Sequence, residues 1–576
     1  MIIWGNSKIK AETAIPTTDE KPIWGEKEWV WPWDRLGAEW ETYSLLATSP
    51  PSTESWPKTV GEICTELHKI PQQDSVESHP LFRIIASECK DKSVSHIASL
   101  TVNLGVYPIE RRYPLSQSFE NFSPGWDSKL IDPEMAHRWT ELPPAINTEF
   151  RYPVSPHSFV YFRLGLRRDM AGWSQDPTGS NLPTGANEVD LNEPSLGYFH
   201  AGNSFMDFTI GRFPIHWSSS PDFGLALSHA VPFHNGAEFV LKMPQVRYRF
   251  LVSSLNPWLT GTPLGDTSSE NYPGGSEEYL QRHYASDKGA INFHNRIYTD
   301  RIKTLFAHRL EGNIGRLEMG ITETQIIGGK VPDFRDAGSF SFFHNDFKEG
   351  YTNGALSLDG RVRLPMGFSL AAEIYLDDVQ YKATEGDGNT PSLLGYLGSI
   401  RHAYSTPKWF IVQSVYWIRT DPFVYGYLQP LNTMSSRHIL ATNYQSPNTS
   451  PFFDRIVVDY PMGYLRGGDA LDFWYRMEGW SGERFKLSVS AGLLAKGVVN
   501  LHTSYQDYYQ STHDSPTGVV EREVRLRGEA EYRWDNGLAF YGGLGWQDFR
   551  NEGNVSGKTS NRTQGSVGTS WSFPHE

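Results

Sequence analysis

From about residue 147 to the C-terminus, apolar and polar positions alternate with a period of two. Val160, Phe162, Leu164 and Leu166 alternate with Tyr161, Arg163, Gly165 and Arg167. Val246, Tyr248, Phe250 and Val252 alternate with Arg247, Arg249, Leu251 and Ser253, and Leu356, Leu358, Val362 and Leu364 with Ser357, Asp359, Arg361 and Arg363. The sharpest case is "EVRLRGEAEYRW", from Glu523 to Trp534: Val524, Leu526, Ala530, Tyr532 and Trp534 on one side, Arg525, Arg527, Glu529, Glu531 and Arg533 on the other. The pattern predicts roughly 16 to 20 strands of ~10 residues.

Alternation also occurs in soluble β-proteins, so three further features decide. Soluble strands cluster near five or six residues, whereas membrane-spanning strands need ~9–11. Aromatics fall where strands end: Tyr532, Trp534 and Trp546 flank the "DNG" turn at Asp535, and Trp571 and Phe573 close the last strand, as in an interfacial girdle. Tight connections ("MPQ" at Met243, "EGN" at Glu311, "PMG" at Pro365, "STP" at Ser405, "WSGE" at Trp480, "DNG" at Asp535) alternate with long ones (256–302, 323–353, 378–394, 419–436, 497–522, 549–561). Short turns on one side and long loops on the other are the plan of outer-membrane barrels. The expectation is a mainly β protein: a transmembrane antiparallel β-barrel of about 18 strands (range about 16–20) over residues 146–576. Its greasy face meets lipid and its charged face a polar lumen.

Residues 1–145 read differently. Asp34–Ala47, Thr59–Ile70 and Pro80–Lys92 carry apolar residues at helical spacing, and Thr59 precedes Glu62 by the interval of a capping box. This predicts a small, mostly helical N-terminal domain, placed in the periplasm. It argues against a strand-rich transporter plug, and the barrel region is too short for ~22 strands.

Composition narrows the function. Aromatics make up 14% of the 576 residues and mean hydropathy is -0.46, and no apolar run approaches the ~20 residues of a spanning helix. A net charge of -14 argues against nucleic acid as a partner. The two cysteines, Cys64 and Cys89, fit either one disulfide or two buried thiols. The start, "MIIWGNSKIKAETAIP", lacks a signal-peptide core, so the chain is either cytosolic or mature or truncated at its beginning; the barrel reading favours the latter.

No catalytic pattern stands out: no G-x-S-x-G, H-E-x-x-H or Walker loop occurs. No enzyme activity, cofactor or metal is expected. His229/His234 and His216/Asp222 are too loosely spaced for a metal site. Arg525 is expected to pair with Glu529 and Glu531. Arg247, Arg249, Arg361, Arg363, Arg525 and Arg527 would form a selectivity ladder if the lumen were open, the alternative reading being a porin or substrate-specific channel; bulky inward residues such as Trp474 would plug it. A barrel-embedded hydrolase ranks last.

One segment carries more. In "IGRFPIHWSSSPDFGLALSHAVP" (Ile210 to Pro232), a Gly211-Arg212 strand end leads through Trp217 and Pro221 into an alternating strand with Leu225, Leu227 and Ser228, then Pro232. This resembles the Wzi family of outer-membrane capsule-assembly proteins. "FAHRLEGNIGRLEMGITETQIIGG" (Phe306 to Gly329) resembles that family's next hairpin, with His308-Arg309-Leu310-Glu311 and then Glu323. The loop "HWSSSPDF" lacks the family's glycine, and the cluster of Trp24, Trp29, Trp31, Trp33 and Trp40 has no counterpart that we can match. The resemblance implies a monomeric, non-enzymatic lectin in outer-membrane lipid that holds capsular or other surface polysaccharide. Aromatic faces and Arg, Asp or Glu groups suit that chemistry. The candidate ligand residues are Arg212, Trp217, Asp222, Arg247, Arg249, Trp258, His308, Arg309 and Glu323.

Overall fold

A computed structural model describes residues 28–30, 35–45, 55–69, 82, 85–86, 89, 98–106, 117–118, 128–170, 173, 180–190, 194–255, 302–328, 331–332, 352–378, 393–406, 408–426, 432–443, 454–482, 484–501, 503, 515–534 and 537–574. Eighteen strands form one closed antiparallel barrel. In chain order they are β1 (Ala98–Val106), β2 (Ile146–Ser155), β3 (Ser158–Leu166), β4 (Leu196–Gly202), β5 (Met206–Phe213), β6 (His234–Lys242), β7 (Val246–Leu255), β8 (Lys303–Ile314) and β9 (Leu317–Gly328). They continue with β10 (Thr352–Leu364), β11 (Phe368–Asp378), β12 (Leu393–Ser405), β13 (Phe410–Thr420), β14 (Ala470–Ser481), β15 (Phe485–Lys496), β16 (Glu521–Arg533), β17 (Leu538–Arg550) and β18 (Thr559–Pro574). Each strand pairs with its sequence neighbour, and β18 closes the ring on β1, with Val567 opposite Val106 and Pro574 opposite Ser99.

The pleat sorts the side chains as the alternation requires. On β16, Leu526 points outward and is 50% exposed, while neighbouring Arg525 points inward at 4%. A one-residue slip would exchange those faces. Trp534, Phe540 and Trp571 are exposed on the outer wall near the tight-turn end of β16–β18, and Trp546 is exposed on the same face nearer the loop end.

Two expectations need correction. β1 lies inside residues 1–145, so the barrel does not begin at 146; its partner strands follow only after a long insertion, which hid it. The "EGN" at Glu311 is strand, and the hairpin turns at Gly315-Arg316, where Gly315 adopts φ 62°. Gly312 serves a close approach instead: a Cβ there would lie 2.7 Å from the Gln245 carbonyl oxygen.

The N-terminal residues form α1 (Arg35–Ser44) and α2 (Val60–Lys69), joined by the short pair Trp29–Val30 and Lys58–Thr59. The capping box is made: Thr59 N donates to Glu62 Oε2 at 2.8 Å, and Glu62 N to Thr59 Oγ1 at 3.2 Å. Of the third expected helix, Phe82, Ile85, Ala86 and Cys89 are helical and the rest lies outside the described residues. Cys64 and Cys89 form a disulfide. Trp40, Tyr43, Trp56, Ile63 and Ile85 share a core with Phe410, Val412 and Trp480 at the tight-turn end of the barrel.

Inward arginines latch this domain to the wall. Arg361 and Arg401 reach Glu41 at 3.0 and 3.4 Å, Arg363 donates to Ser44 Oγ at 2.7 Å, and Arg247 meets Glu62 at 2.8 Å. Arg249 donates to the Pro57 carbonyl at 3.3 Å, and Ser55 donates to Glu311 at 2.7 Å. Burial alone would raise the Glu41 carboxyl, but Arg361, Arg363 and Arg401 outweigh it and hold it at about 2. A depressed carboxylate contributes stability that is present above its unfolded value near 4.5 and is lost as pH falls towards about 2. The protection factors of the α1 amides, measured by hydrogen exchange against intrinsic rates at each pH, should therefore fall over that acidic window and stay level between pH 6 and 8. Glu41→Ala, which strands buried guanidinium groups, should loosen α1 by about 3–5 kcal/mol at neutral pH in the same measurement.

Candidate functional site

Among the described residues, four segments enter the lumen, and together they decide what the barrel can do. Between β1 and β2 lies α3 (Pro133–Glu141), a helix the periodicity reading missed. Its signal was local: Asp132 caps it, accepting from Glu134 N at 2.9 Å and Met135 N at 3.3 Å, with Pro133 at the first turn. Between β13 and β14, a hairpin of Ser435–Asn443 and Asp454–Pro461 pairs with Ser128–Leu130. Residues 214–233, between β5 and β6, form the third insertion, and the N-terminal domain is the fourth.

Segment 214–233 is seated on Glu373 of β11. Its carboxylate accepts from Ser218 Oγ at 2.7 Å, Leu225 N at 3.0 Å and Ala226 N at 3.1 Å, and from Ser357 Oγ of β10 at 2.8 Å. Asp222 accepts from Tyr416 Oη and from Arg476 at 3.0 Å. Tyr425 Oη donates to the Leu225 carbonyl at 2.7 Å. Gly463 packs so closely that a Cβ would lie 1.9 Å from that same carbonyl oxygen. Trp217 is fully buried. Deep inside, His216 exchanges backbone hydrogen bonds with Trp56 of the N-terminal domain, at 2.8 and 3.4 Å. The insertion from the loop end thus meets the domain from the turn end.

The inward arginines are held in ion pairs, some reaching the insertions and others closing within the wall. Arg249 pairs with Glu238 at 2.9 Å, and Arg309 with Asp359 at 2.6 Å and Glu311 at 2.8 Å. Arg525 does not pair with Glu529 and Glu531 as expected; it bonds Asp472 at 2.7 Å and lies 3.9 Å over the Trp474 ring. Glu529 instead takes Arg527, its same-face neighbour two residues away, at 2.6 Å, and Glu531 takes Arg533.

The sequence-nominated residues fall in separate places. Arg247, Arg249 and Arg309 belong to the buried lumen network, and Trp217 and Asp222 to the inserted segment. His308 and Glu323 do come together as direct cross-strand partners, but by alternation from inward Arg309 they lie on the outer wall, where Phe250 stacks on His308 at 4.9 Å and Tyr248 bonds it at 2.7 Å. Trp258 lies outside the described residues.

Arg212 stands at the loop-end rim. Gly211, at φ 137°, lets β4 approach, since a Cβ there would lie 2.3 Å from the Gly197 carbonyl oxygen. Arg212 donates to Asn235 at 2.9 Å and to the Pro194 carbonyl at 3.0 Å, and lies 4.3 Å over the Phe233 ring. Phe233 in turn packs against His438, with ring centroids 4.4 Å apart and the planes tilted by 39°. These side chains, with His234, Arg437 and Ser254, line a hollow of about 130 Å³. Burial, then the nearby His234 and Arg212, push His438 down to about 3 and keep it neutral. His234 has no hydrogen-bond partner among the described residues at either ring nitrogen. Arg437 is fixed by Asp459 at 2.6 and 2.7 Å. The sequence reading missed His234, Arg437 and His438 as rim residues, because only the folding of the 421–469 insertion brings "SSRHIL" beside Arg212. Among the described residues no cluster of His, Cys, Asp and Glu is arranged to hold a metal.

The class these features define is a closed 18-strand antiparallel barrel, filled from both ends, with a polar and aromatic hollow at its loop-end rim. In fold it is similar to Wzi, an outer-membrane protein involved in group 1 capsule assembly in Escherichia coli and described as a carbohydrate-binding β-barrel: TM-score 0.53 at 13% identity, over 94% of this chain and 98% of that one. OprD of Pseudomonas aeruginosa (TM-score 0.37, 9% identity, 83% of this chain and 94% of that one) and OmpT of Vibrio cholerae (0.30, 8%, 83% and 96%) are more distant. No protein-family model and no curated protein matches the chain. Identity at this level carries the fold alone.

Glu373→Ala removes the carboxylate that accepts from Ser218, Leu225 and Ala226. Hydrogen bonds to a charged group contribute roughly 1.5–3 kcal/mol each, so the segment should become cleavable by added protease while the barrel keeps its heat-modifiable gel mobility. An uncleaved segment in the variant would mean that Tyr425 and Asp222 suffice to hold it.

Proposed function

We propose that this protein is a monomeric outer-membrane β-barrel that binds and anchors capsular or other surface polysaccharide without catalysing a reaction. Its long-loop end would face the cell exterior and its N-terminal helices the periplasm. The observation that carries the reading is the filled lumen: insertions enter it from both ends and its buried arginines are held in internal pairs, while the loop-end rim offers a polar, aromatic hollow. Arg212, Phe233, Arg437 and the histidines beside them have the chemistry sugar recognition uses, ring faces for C–H surfaces and cationic or neutral donors for hydroxyls and carboxylates. The fold likeness to a carbohydrate-binding barrel supports the same conclusion. The exposed apolar outer wall, with Leu526, Leu544 and Val567 facing out, supports the membrane placement.

In a deletion strain, total surface polysaccharide should be unchanged while most of it moves from the cells to the medium. Complementation with Arg212→Ala should restore less cell-bound polymer than the unaltered chain. An unchanged cell-bound fraction on deletion overturns the anchoring role. Steady single-channel conductance by the purified barrel would favour the channel reading instead.

A further inference from the structure

We propose that the lumen holds a second ligand site, distinct from the rim, which takes an uncharged sugar unit or a polyol of similar size. The site is a hollow of about 370 Å³ between α3 and the inner faces of β16–β18, within the ~300–1,000 Å³ range of small-molecule sites. One wall is stripped of bulk. Gly543 and Gly545 of β17 and Ser566 and Ser570 of β18 occupy inward positions, where the same strands higher up carry Phe549 and Arg562. The Tyr541 ring lies against Gly568, where a Cβ would come within 2.4 Å of the phenol oxygen. That placement turns a ring towards the hollow.

The opposite wall is charged but paired. Arg527 bonds Glu529 at 2.6 Å, with 51% and 45% of their side chains exposed, and Arg138 of α3 bonds Glu134 at 3.2 Å. Fixed ion pairs offer donors and acceptors in balance, which suits hydroxyl groups better than a net ionic ligand. Trp173 supplies the independent pointer. It is 3% exposed and lines the hollow, and its indole N–H is buried without a hydrogen-bond partner among the described residues. Buried polar groups are nearly always satisfied, so an orphan donor in the wall of the hollow would gain a partner once a small shift of the ring uncovers it to a ligand oxygen. A pyranose ring, apolar on its faces and hydroxylated at its edge, meets Tyr541, the indole N–H and the ion pairs together.

The test is calorimetric titration of the full chain in detergent with maltose, lactose and chitobiose. At least one should give saturable heat. Ser566→Trp, which fills the hollow, should abolish it. Trp173→Phe keeps a ring but deletes the N–H, and should weaken binding roughly 3- to 10-fold without lowering the unfolding temperature appreciably. Arg212→Ala at the rim should leave the heat unchanged, so failure here and failure of the anchoring role are read separately. No heat with any of the three sugars overturns the proposal. So does heat that persists unaltered in both Ser566→Trp and Trp173→Phe.

Discussion

An eighteen-strand barrel is wider than its own inward side chains can fill, and that single geometric surplus governs the rest of the molecule. Left alone, the space would hold water and the inward arginines would line a pore. Here it receives α1 and α2 from the turn end and α3, segment 214–233 and the 435–461 hairpin from the loop end. The backbone contact of Trp56 with His216 is where the two fillings touch. Because the fillings come from distant parts of the sequence, the wall must offer them polar seats, and the charged inner face does so.

Those seats explain why so many full charges tolerate burial. Removing a charge from water costs several kcal/mol unless a partner and further hydrogen bonds compensate it. Arg309 meets this by bonding Asp359, Glu311 and Thr322 together, and Arg361 by bridging Glu318 on the wall and Glu41 on α1. A bidentate or bridging guanidinium accepts few alternative geometries. The lattice therefore fixes the register in which each insertion docks, which apolar packing alone would specify less sharply.

Much of the wall was legible in the sequence, because the pleat leaves a period-two record and an apolar outer face against a charged inner one makes it strict. Glu523–Trp534 could be divided into outer and inner faces residue by residue, and the Thr59–Glu62 capping box is a purely local signal. What failed was long-range. β1 stands apart from its partners in sequence, since α3 intervenes before β2. Arg525 was matched to its strand neighbours, yet its partner Asp472 comes from β14, brought alongside only by the register of β15. His308 and Arg309 were nominated together as ligand residues, but adjacent residues face opposite sides of the wall. The rim histidines became visible only once the 421–469 insertion was folded.

The two hollows bear on transport as well as binding. The rim hollow sits among the ends of β5–β7, and the lumen hollow lies against β16–β18, beside α3. Near the latter, Arg525 is bonded to Asp472 and stacked on Trp474, and Glu134 of α3 joins the same cluster through Arg466. Opening a route through this partition would mean separating several buried ion pairs at once, each strongly destabilising when a partner is withdrawn. The proposed ligands would thus be held at either hollow without passage between them. A barrel built this way spends its interior on rigidity, which is what the proposed anchoring role would ask of it.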